Sequence, residues 1–590
     1  MRALGTEAAR GGRSFACGAA AKEAHCLLGG LAAHGLPCFS VPPASVCVLN
    51  APNEYHAALL HGARSARRRV SIASLYLGSG PLESALVDEL LRKQAAASTP
   101  RQMTFLFDYH RARRQGALDL PARLASAPHS RVCLLASPAA PRPRQDDVQH
   151  HAQHHAQHHA QHHGARHEPR DSQVRRRPDG QPHARLFASE RLPGTLSEIF
   201  GVQHLKLALF DDDLLLSGAN LSNEYLTNRQ DRYLLLRDVR PLAGFVAELL
   251  ELLCRRAHRL EAHGGAAAAD RGGGGGGGGG GVCSPEDEAP APAAPLRLLC
   301  PAESLSSLAP SVETLLREAK EAQPLPTAEE VARGGCWLLP LPQAAAAGVT
   351  TESRAVDWLL GRTALPLLLS SPYLNLPAAY ADAVLAPRAK SPGTTAAAAA
   401  ALAPAPTSAT HAAESLHDEP PTAPTLLSAA PTASGFHGAS GVRGLIPQVY
   451  SALEGKLRSR ALALAAPLRL LHYDRPGWTY HAKGLWQWPP PPHEPPHEPP
   501  HEPPSSPQSA PPSAPPSAPV LTLLGSTNLS ERSSLRDVEF SVCIVATDGG
   551  VRAQLDEEQR RLRLHARAAS PGGHVSLAAR LGAVLMRSFF

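Results

Sequence analysis

Lysine is scarce in this chain, with 7 among 590 residues against 51 arginines, so any recurring lysine position stands out. No run of 18 consecutive apolar residues occurs, which argues against a membrane-spanning helix and leaves membrane contact to the surface of a folded protein. There is no Gly-Lys-Ser or Gly-Lys-Thr, hence no Walker phosphate loop. The ten cysteines never form Cys-x-x-Cys, and their scatter suggests reduced thiols, neither a disulfide framework nor a zinc site. The formal charge of +6 is mild; it suits an anionic membrane surface without identifying one.

What the chain does have is low-complexity sequence and a repeat. His150 to His163 carry a tandem His-rich run, Gly272 to Gly281 are all glycine, residues 391–434 are rich in Ala, Pro and Thr, and Pro489 to Pro519 are dominated by proline. Proline donates no ladder hydrogen bond, so the last block cannot be strand. These breaks organise the chain. A candidate targeting segment spans 1–40, with Arg2, Arg10 and Arg13 among Ala and Gly, although Glu7 and Glu23 weaken it. A first lobe spans 41–265 with an insert at about 136–190. A linker follows at 266–295, flexible by composition. A second lobe spans 296–590, with inserts expected to be disordered at about 391–434 and 489–519. Helices are expected over Glu54 to Arg67, from Pro81 through Leu91, over Leu242 to Arg259 and over Val551 to Ala568. Strands are expected at Val70 to Leu77, Thr104 to Asp108, Tyr233 to Leu236 and around Leu367. The fold class is α/β: two pseudo-symmetric lobes, each a mixed β-sheet flanked by helices.

The repeat is His-x-Lys. With the 31 residues of Pro489–Pro519 set aside, His481 precedes Asn528 by 16 positions, just as His204 precedes Asn220. Asp231 then lies 11 beyond Asn220, and Glu539 lies 11 beyond Asn528. Alternation predicts that His204, Lys206 and Ala208 share one face of a short strand whose other face is buried. Two imidazoles facing each other suit a two-step substitution at phosphorus. One neutral ring attacks; the other, protonated, donates to the leaving oxygen and then deprotonates the acceptor. An imidazole pKa near ~6.5 permits both roles at neutral pH. Lys206, Lys483, Asn220 and Asn528 would neutralise the non-bridging oxygens, so no metal is required, and Asp231 and Glu539 would orient the rings.

The segments His204–Asp211, Ser217–Ser222, His481–Trp486 and Gly525–Phe540 resemble the two halves of the phospholipase D superfamily. Arg69–Leu91, Phe200–Phe210, Ser217–Leu236, Ser371–Leu385, Gly435–Leu457, Arg475–Trp486 and the Arg-Ser-Phe-Phe end extend the resemblance to one branch, the mitochondrial CDP-diacylglycerol–glycerol-3-phosphate 3-phosphatidyltransferases. That resemblance implies CDP-diacylglycerol and glycerol 3-phosphate as substrates, no nucleic acid, and a peripheral position on the mitochondrial inner membrane. It adds Asp211 to the catalytic set. It also implies nucleotide contact along Ile72, Ala73, Ser74, Leu75, Tyr76, Leu77, Gly78 and Ser79, with the CDP end of the donor as the sensible ligand and ATP carried by the resemblance alone. Trp488 departs from the superfamily pattern, which has Asp there. A glycine turn between strand and helix can offer amides to a phosphate, and a purely structural turn is the competing reading. Arg111, Arg113 and Arg114 are either a head-group contact or a solvated loop. A phospholipase-type hydrolase, a nuclease or a serine-specific phosphatidyltransferase would use the same residues. A non-catalytic binding protein would follow if the proline block distorted the second strand.

Overall fold

The computed structural model describes residues 4–114, 117–137, 201–262, 296–363, 365–387, 421–490, 518–570 and 575–585. The His-rich run and the glycine linker lie outside these residues.

Two large sheets carry the architecture, and each contains the same eight strands in the same spatial order. In the first sheet the order is Val46–Leu49, Tyr233–Leu236, Asp213–Ser217, Leu207–Phe210, Arg69–Ala73, Gln102–Asp108, Ser130–Leu135 and His258–Ala262. In the second it is Cys336–Ala344, Glu539–Ala546, Leu521–Gly525, Gly484–Gln487, Leu367–Ser370, Thr425–Ala429, Arg469–Tyr473 and Ala566–Ala568. The directions match as well. Both sheets have two parallel pairings in the middle of this order, and the remaining pairings are antiparallel. Apolar residues such as Leu207, Leu209, Leu214 and Leu216 from the first sheet and Leu524, Phe540, Val542 and Ile544 from the second share one core, so the lobes are fused through their hydrophobic faces.

The expected helices are present with shifted ends: Pro52–Ser65, Pro81–Ala96, Arg240–Arg255 and Gly549–Leu564. The last two stop early because the chain turns back to form a further strand of each sheet, His258–Ala262 and Ala566–Ala568. Three boundaries need correction. Residues 425–429 fall inside the Ala/Pro/Thr block expected to be disordered, yet Thr425–Ala429 is a parallel strand between Leu367–Ser370 and Arg469–Tyr473. Leu426 and Leu427 there are buried, and a five-residue strand carrying two leucines is invisible to a composition window dominated by its neighbours. A targeting segment ending at 40 would cut the strand Phe39–Val41, which pairs antiparallel with Cys336–Ala344 (Phe39 opposite Leu338, Val41 opposite Cys336), and Ala24, Leu27, Leu28 and Leu31 of the helix Leu4–Ala33 are buried in the second lobe's core. Leu296–Leu299, assigned above to the second lobe, pairs instead with His258–Ala262 of the first sheet.

The proline block does not distort its strand. Gly484–Gln487 and Leu521–Gly525 form a hairpin in register, with Gln487 opposite Leu521 and the Val520 amide donating to the Gln487 carbonyl at 2.9 Å. The block enters at the hairpin turn, where the first lobe has only Asp211 and Asp212 between its strands. A connection at a turn leaves the ladder intact whatever its length.

Candidate active site

His204 to Lys206 and His481 to Lys483 do not lie within strands, as alternation had predicted; each triplet is extended chain immediately before one, Leu207–Phe210 and Gly484–Gln487 respectively. The reason is that these segments pair across the lobes. The His204 amide donates to the Val538 carbonyl and the His481 amide to the Gln230 carbonyl, both at 2.8 Å. Gln203 bridges Val538 and Tyr480 pairs with Gln230, both in parallel register. The residue after each acceptor is a carboxylate: Glu539 after Val538, and Asp231 after Gln230.

The result is a crossed arrangement. His204 Nδ1 lies 3.0 Å from both carboxylate oxygens of Glu539, and His481 Nδ1 lies 2.6 Å from Asp231 Oδ2. Each lobe's imidazole is therefore oriented by the other lobe's carboxylate. An ionised carboxylate only accepts, so Nδ1 of His204 carries the proton and its Nε2 is left to react, whereas Nδ1 of His481 lies 2.6 Å from both Asp231 Oδ2 and Lys483 Nζ. The four side chains are buried. Lys206 Nζ donates to the His204 carbonyl at 2.8 Å; Lys483 Nζ donates to the Gly218 carbonyl at 3.2 Å and to Asp231 at 3.4 Å. Gly218 is needed there, since a Cβ would stand 2.5 Å from Asp231 Oδ1 and 2.8 Å from Lys483 Nζ. The amide oxygens of Asn220 and Asn528 have no hydrogen-bond partner among the described residues.

Electrostatics bind the two halves into one site. Burial, then the charge on Lys206, holds His204 well below the usual histidine range; Lys483 acts on it too. Burial, then Lys483, does the same for His481, with Arg229, Lys206 and His204 contributing. Each imidazole thus feels both lysines. Burial raises Asp231 and pushes Glu539 up to about 7 against the pull of Lys206, and it pushes Lys483 down to about 8. His204, Glu539 and Asp537 lie close enough together to ligate a cation. Asp537, however, already accepts from the Val202 amide at 2.9 Å and pairs with Arg532 at 3.2 Å, and Lys206 and Lys483 supply the compensating charge.

Asp211 is not brought into this cluster. It sits at a positive φ of 54° in the hairpin turn, and its carboxylate accepts from the amides of Arg67, Arg68 and Arg69 at 2.8–3.0 Å. Asparagine and aspartate tolerate this conformation and cap free amides, which accounts for the residue structurally. Its counterpart Trp488 is buried with Trp486 against Leu368 and Tyr473. Trp478 is only partly buried, under Arg475.

Along Ile72–Ser79, backbone amides at both ends of the turn are already engaged. Ile72 and Ala73 are core strand, the Ser74 amide donates to the Leu106 carbonyl at 3.0 Å, and the Gly78 amide donates to the Leu221 carbonyl at 2.7 Å. Glu83 fills the turn: its carboxylate accepts from the Asn223 amide at 2.7 Å and lies against Gly78 and Gly80. A carboxylate in that position repels an anion. Leu75 and Leu77 are buried and Ser79 is exposed; of the eight residues, Tyr76 has a side chain at the cleft, its hydroxyl 3.2 Å from Ser222 Oγ.

Some contributors have no signal in the spacing. Ser526 Oγ donates to Glu539, and Tyr225 OH lies 3.3 Å from His481 Nε2. Arg232, fully buried, crosses into the second lobe to pair with Glu558 at 2.7 Å beneath the Trp486 ring. Aligning the two copies finds neither, because Ser526 falls opposite Gly218 and Tyr225 opposite Ser533.

No family model matches the chain. The human protein named CDP-diacylglycerol–glycerol-3-phosphate 3-phosphatidyltransferase, mitochondrial, is 29% identical over 578 residues, covering 94% of this chain and 84% of the relative. The chain is a relative of these phosphatidyltransferases. The Saccharomyces cerevisiae enzyme of the same name, without the mitochondrial label, is 22% identical over 88% of this chain and 82% of its own. Among solved structures, the phosphatidylserine synthase of Haemophilus influenzae matches with a TM-score of 0.51 and 16% identity, covering 93% of this chain and 92% of its own. That likeness shows the fold: an α/β chain of two similar lobes, each built on one large mixed sheet.

Proposed function

We propose that the protein transfers the phosphatidyl group of CDP-diacylglycerol to sn-glycerol 3-phosphate, releasing CMP and forming phosphatidylglycerophosphate. The observation that carries this reading is the pair of buried imidazoles, each fixed at Nδ1 by a carboxylate of the opposite lobe and flanked by two lysines. In the first step Nε2 of His204 attacks the phosphatidyl phosphorus and the bond to the CMP oxygen breaks, with His481 donating a proton to that oxygen. In the second, His481 Nε2 takes the proton of the acceptor hydroxyl, the new P–O bond forms and the N–P bond breaks. The lysines and the amides of Asn220 and Asn528 stabilise the equatorial oxygens.

The lobes differ in one respect that supports His204 as the nucleophile. Tyr225 touches Nε2 of His481, whereas no described residue hydrogen-bonds Nε2 of His204. The open nitrogen suits the nucleophile. Rapid-quench trapping with CDP-diacylglycerol labelled in the phosphatidyl group, followed by peptide mapping, tests this: label on residue 204 is expected, and label on 481 reverses the roles. Competition among glycerol 3-phosphate, serine and water as acceptors separates the transferase from the serine-specific and hydrolytic alternatives.

Work at a membrane surface follows from the lipid donor. No helix among the described residues is long and apolar enough to cross a membrane. The helix Leu577–Leu585 turns Leu577, Leu581 and Val584 outward, while Ala579 and Ala583 pack on Val449 and Leu453 of the helix Ile446–Ala463. Tyr450 of that helix stacks on Tyr373 beside His481, so the apolar ridge lies one helix from the site. A peripheral mode on the mitochondrial inner membrane is the reading this supports, and flotation of Leu577→Asp/Leu581→Asp with cardiolipin-containing vesicles checks it: lost flotation is expected, and full retention removes the ridge from the account.

A further inference from the structure

Beside His481 the cleft wall is aromatic and its rim is arginine. The Tyr225 and Tyr373 rings lie edge-on to the imidazole at 4.9 and 5.9 Å, and Tyr373 meets Phe436 at 5.8 Å. Three guanidinium groups each lie over a ring of this mouth: Arg229 over Tyr225 at 4.5 Å, Arg111 over Tyr76 at 5.2 Å and Arg443 over Phe436 at 5.8 Å. Tyr76 is tied to Ser222, three residues before Tyr225, and Gly435 packs so closely on Arg229 that a Cβ would stand 2.8 Å from Nη2. The first-lobe and second-lobe arginines are thereby held at one opening.

Convergent cations repel one another unless an anion lies between them. Arg114 registers that repulsion: burial, then the charges of Arg111 and Arg443, pushes it down to about 10. Arg229 is partly balanced by Glu224 at 2.7 Å. Arg229 also donates from Nε to Thr479 Oγ1 at 2.9 Å, and a ring beneath each guanidinium restricts its motion while leaving its positive charge facing the opening.

The two His–Lys pairs serve the reacting phosphorus. A second reactant that bears its own phosphate needs a separate cationic seat, which water or a plain alcohol does not. We propose that Arg111, Arg229 and Arg443 form a phosphate subsite that seats the phosphomonoester of the acceptor and so selects a phosphorylated polyol. This rests on the transferase reading above. The cytidine-linked phosphate of the donor has the same chemistry, and the test separates the two sources.

Steady-state kinetics of the full chain would compare wild type with Arg111→Gln, Arg443→Gln and the double variant, on vesicles containing CDP-diacylglycerol. The expected result is a rise of about tenfold or more in KM for glycerol 3-phosphate in the double variant, with KM for CDP-diacylglycerol within about twofold. The opposite split transfers the subsite to the donor and overturns the acceptor assignment; no change in either constant overturns the subsite. Inorganic phosphate provides an arm independent of turnover. It is expected to raise the melting temperature of wild type and not of the double variant, and an equal rise in both counts against the subsite. If wild type forms no phosphatidylglycerophosphate, the transferase reading fails, while the phosphate arm still decides whether the subsite exists.

Discussion

The two halves of the site have the same backbone and different punctuation. In the first, the hairpin after His-x-Lys closes through Asp211, whose carboxylate caps three amides; in the second, Trp488 is buried and a 31-residue proline-rich block occupies the turn. Both hairpins nevertheless hold register, and both triplets reach a carboxylate of the opposite lobe. The position seven residues after the histidine is thus a turn-closing aspartate in one lobe and a buried tryptophan in the other, while the His, the Lys and the crossed carboxylate recur in both.

That comparison can be broken at several points. The largest effect is expected at the imidazoles: His204→Ala and His481→Ala should each lower kcat by roughly 10³-fold or more, with phosphoenzyme still trappable only in the second. Next are the crossed carboxylates. Glu539→Gln and Asp231→Asn leave the rings in place but remove the ionised acceptor for Nδ1–H, and kcat should fall by roughly 10²- to 10⁴-fold; equal activity in either would show that the crossing is only structural. The pH profile of kcat/KM sharpens the comparison further. Glu539 is pushed up to about 7, so protonation below that point removes the acceptor for His204, and Lys483 is pushed down to about 8, so its charge is lost above that point. A bell between these limits is expected, and Glu539→Gln should remove the acid limb. Asp211→Ala should mainly reduce stability, by about 1–3 kcal/mol through lost amide caps and a strained positive φ, read as a lower Tm at nearly unchanged kcat. Replacing residues 491–517 by a short turn should have the smallest effect, with activity changed by less than about twofold.

Much of this was legible in the sequence because a duplicated fold repeats its spacings. Once the proline block is discounted, the positions of His204, Asn220 and Asp231 predict those of His481, Asn528 and Glu539, and the helix and strand pattern of the first lobe appears again in the second. Which carboxylate faces which imidazole was not legible. Spacing within a lobe says nothing about the exchange between lobes, and only the Gln203–Val538 and Tyr480–Gln230 pairings decide it. Thr425–Ala429 was hidden by surrounding Ala and Pro, and the burial of Leu27 and Leu31 was masked by a composition that also suits a leader segment. Placing Asp211 in the catalytic set followed the motif; the amides of Arg67 to Arg69 are distant in sequence and give no warning.

The exchange of carboxylates also has a consequence for synthesis. His204 is separated from Glu539 by 335 positions, and His481 from Asp231 by 250. A nascent chain that has emerged only through its first lobe holds an imidazole with no base behind it and a carboxylate with no ring in front. Each ring meets its carboxylate only when nearly the whole polypeptide has been made and the two lobes have docked.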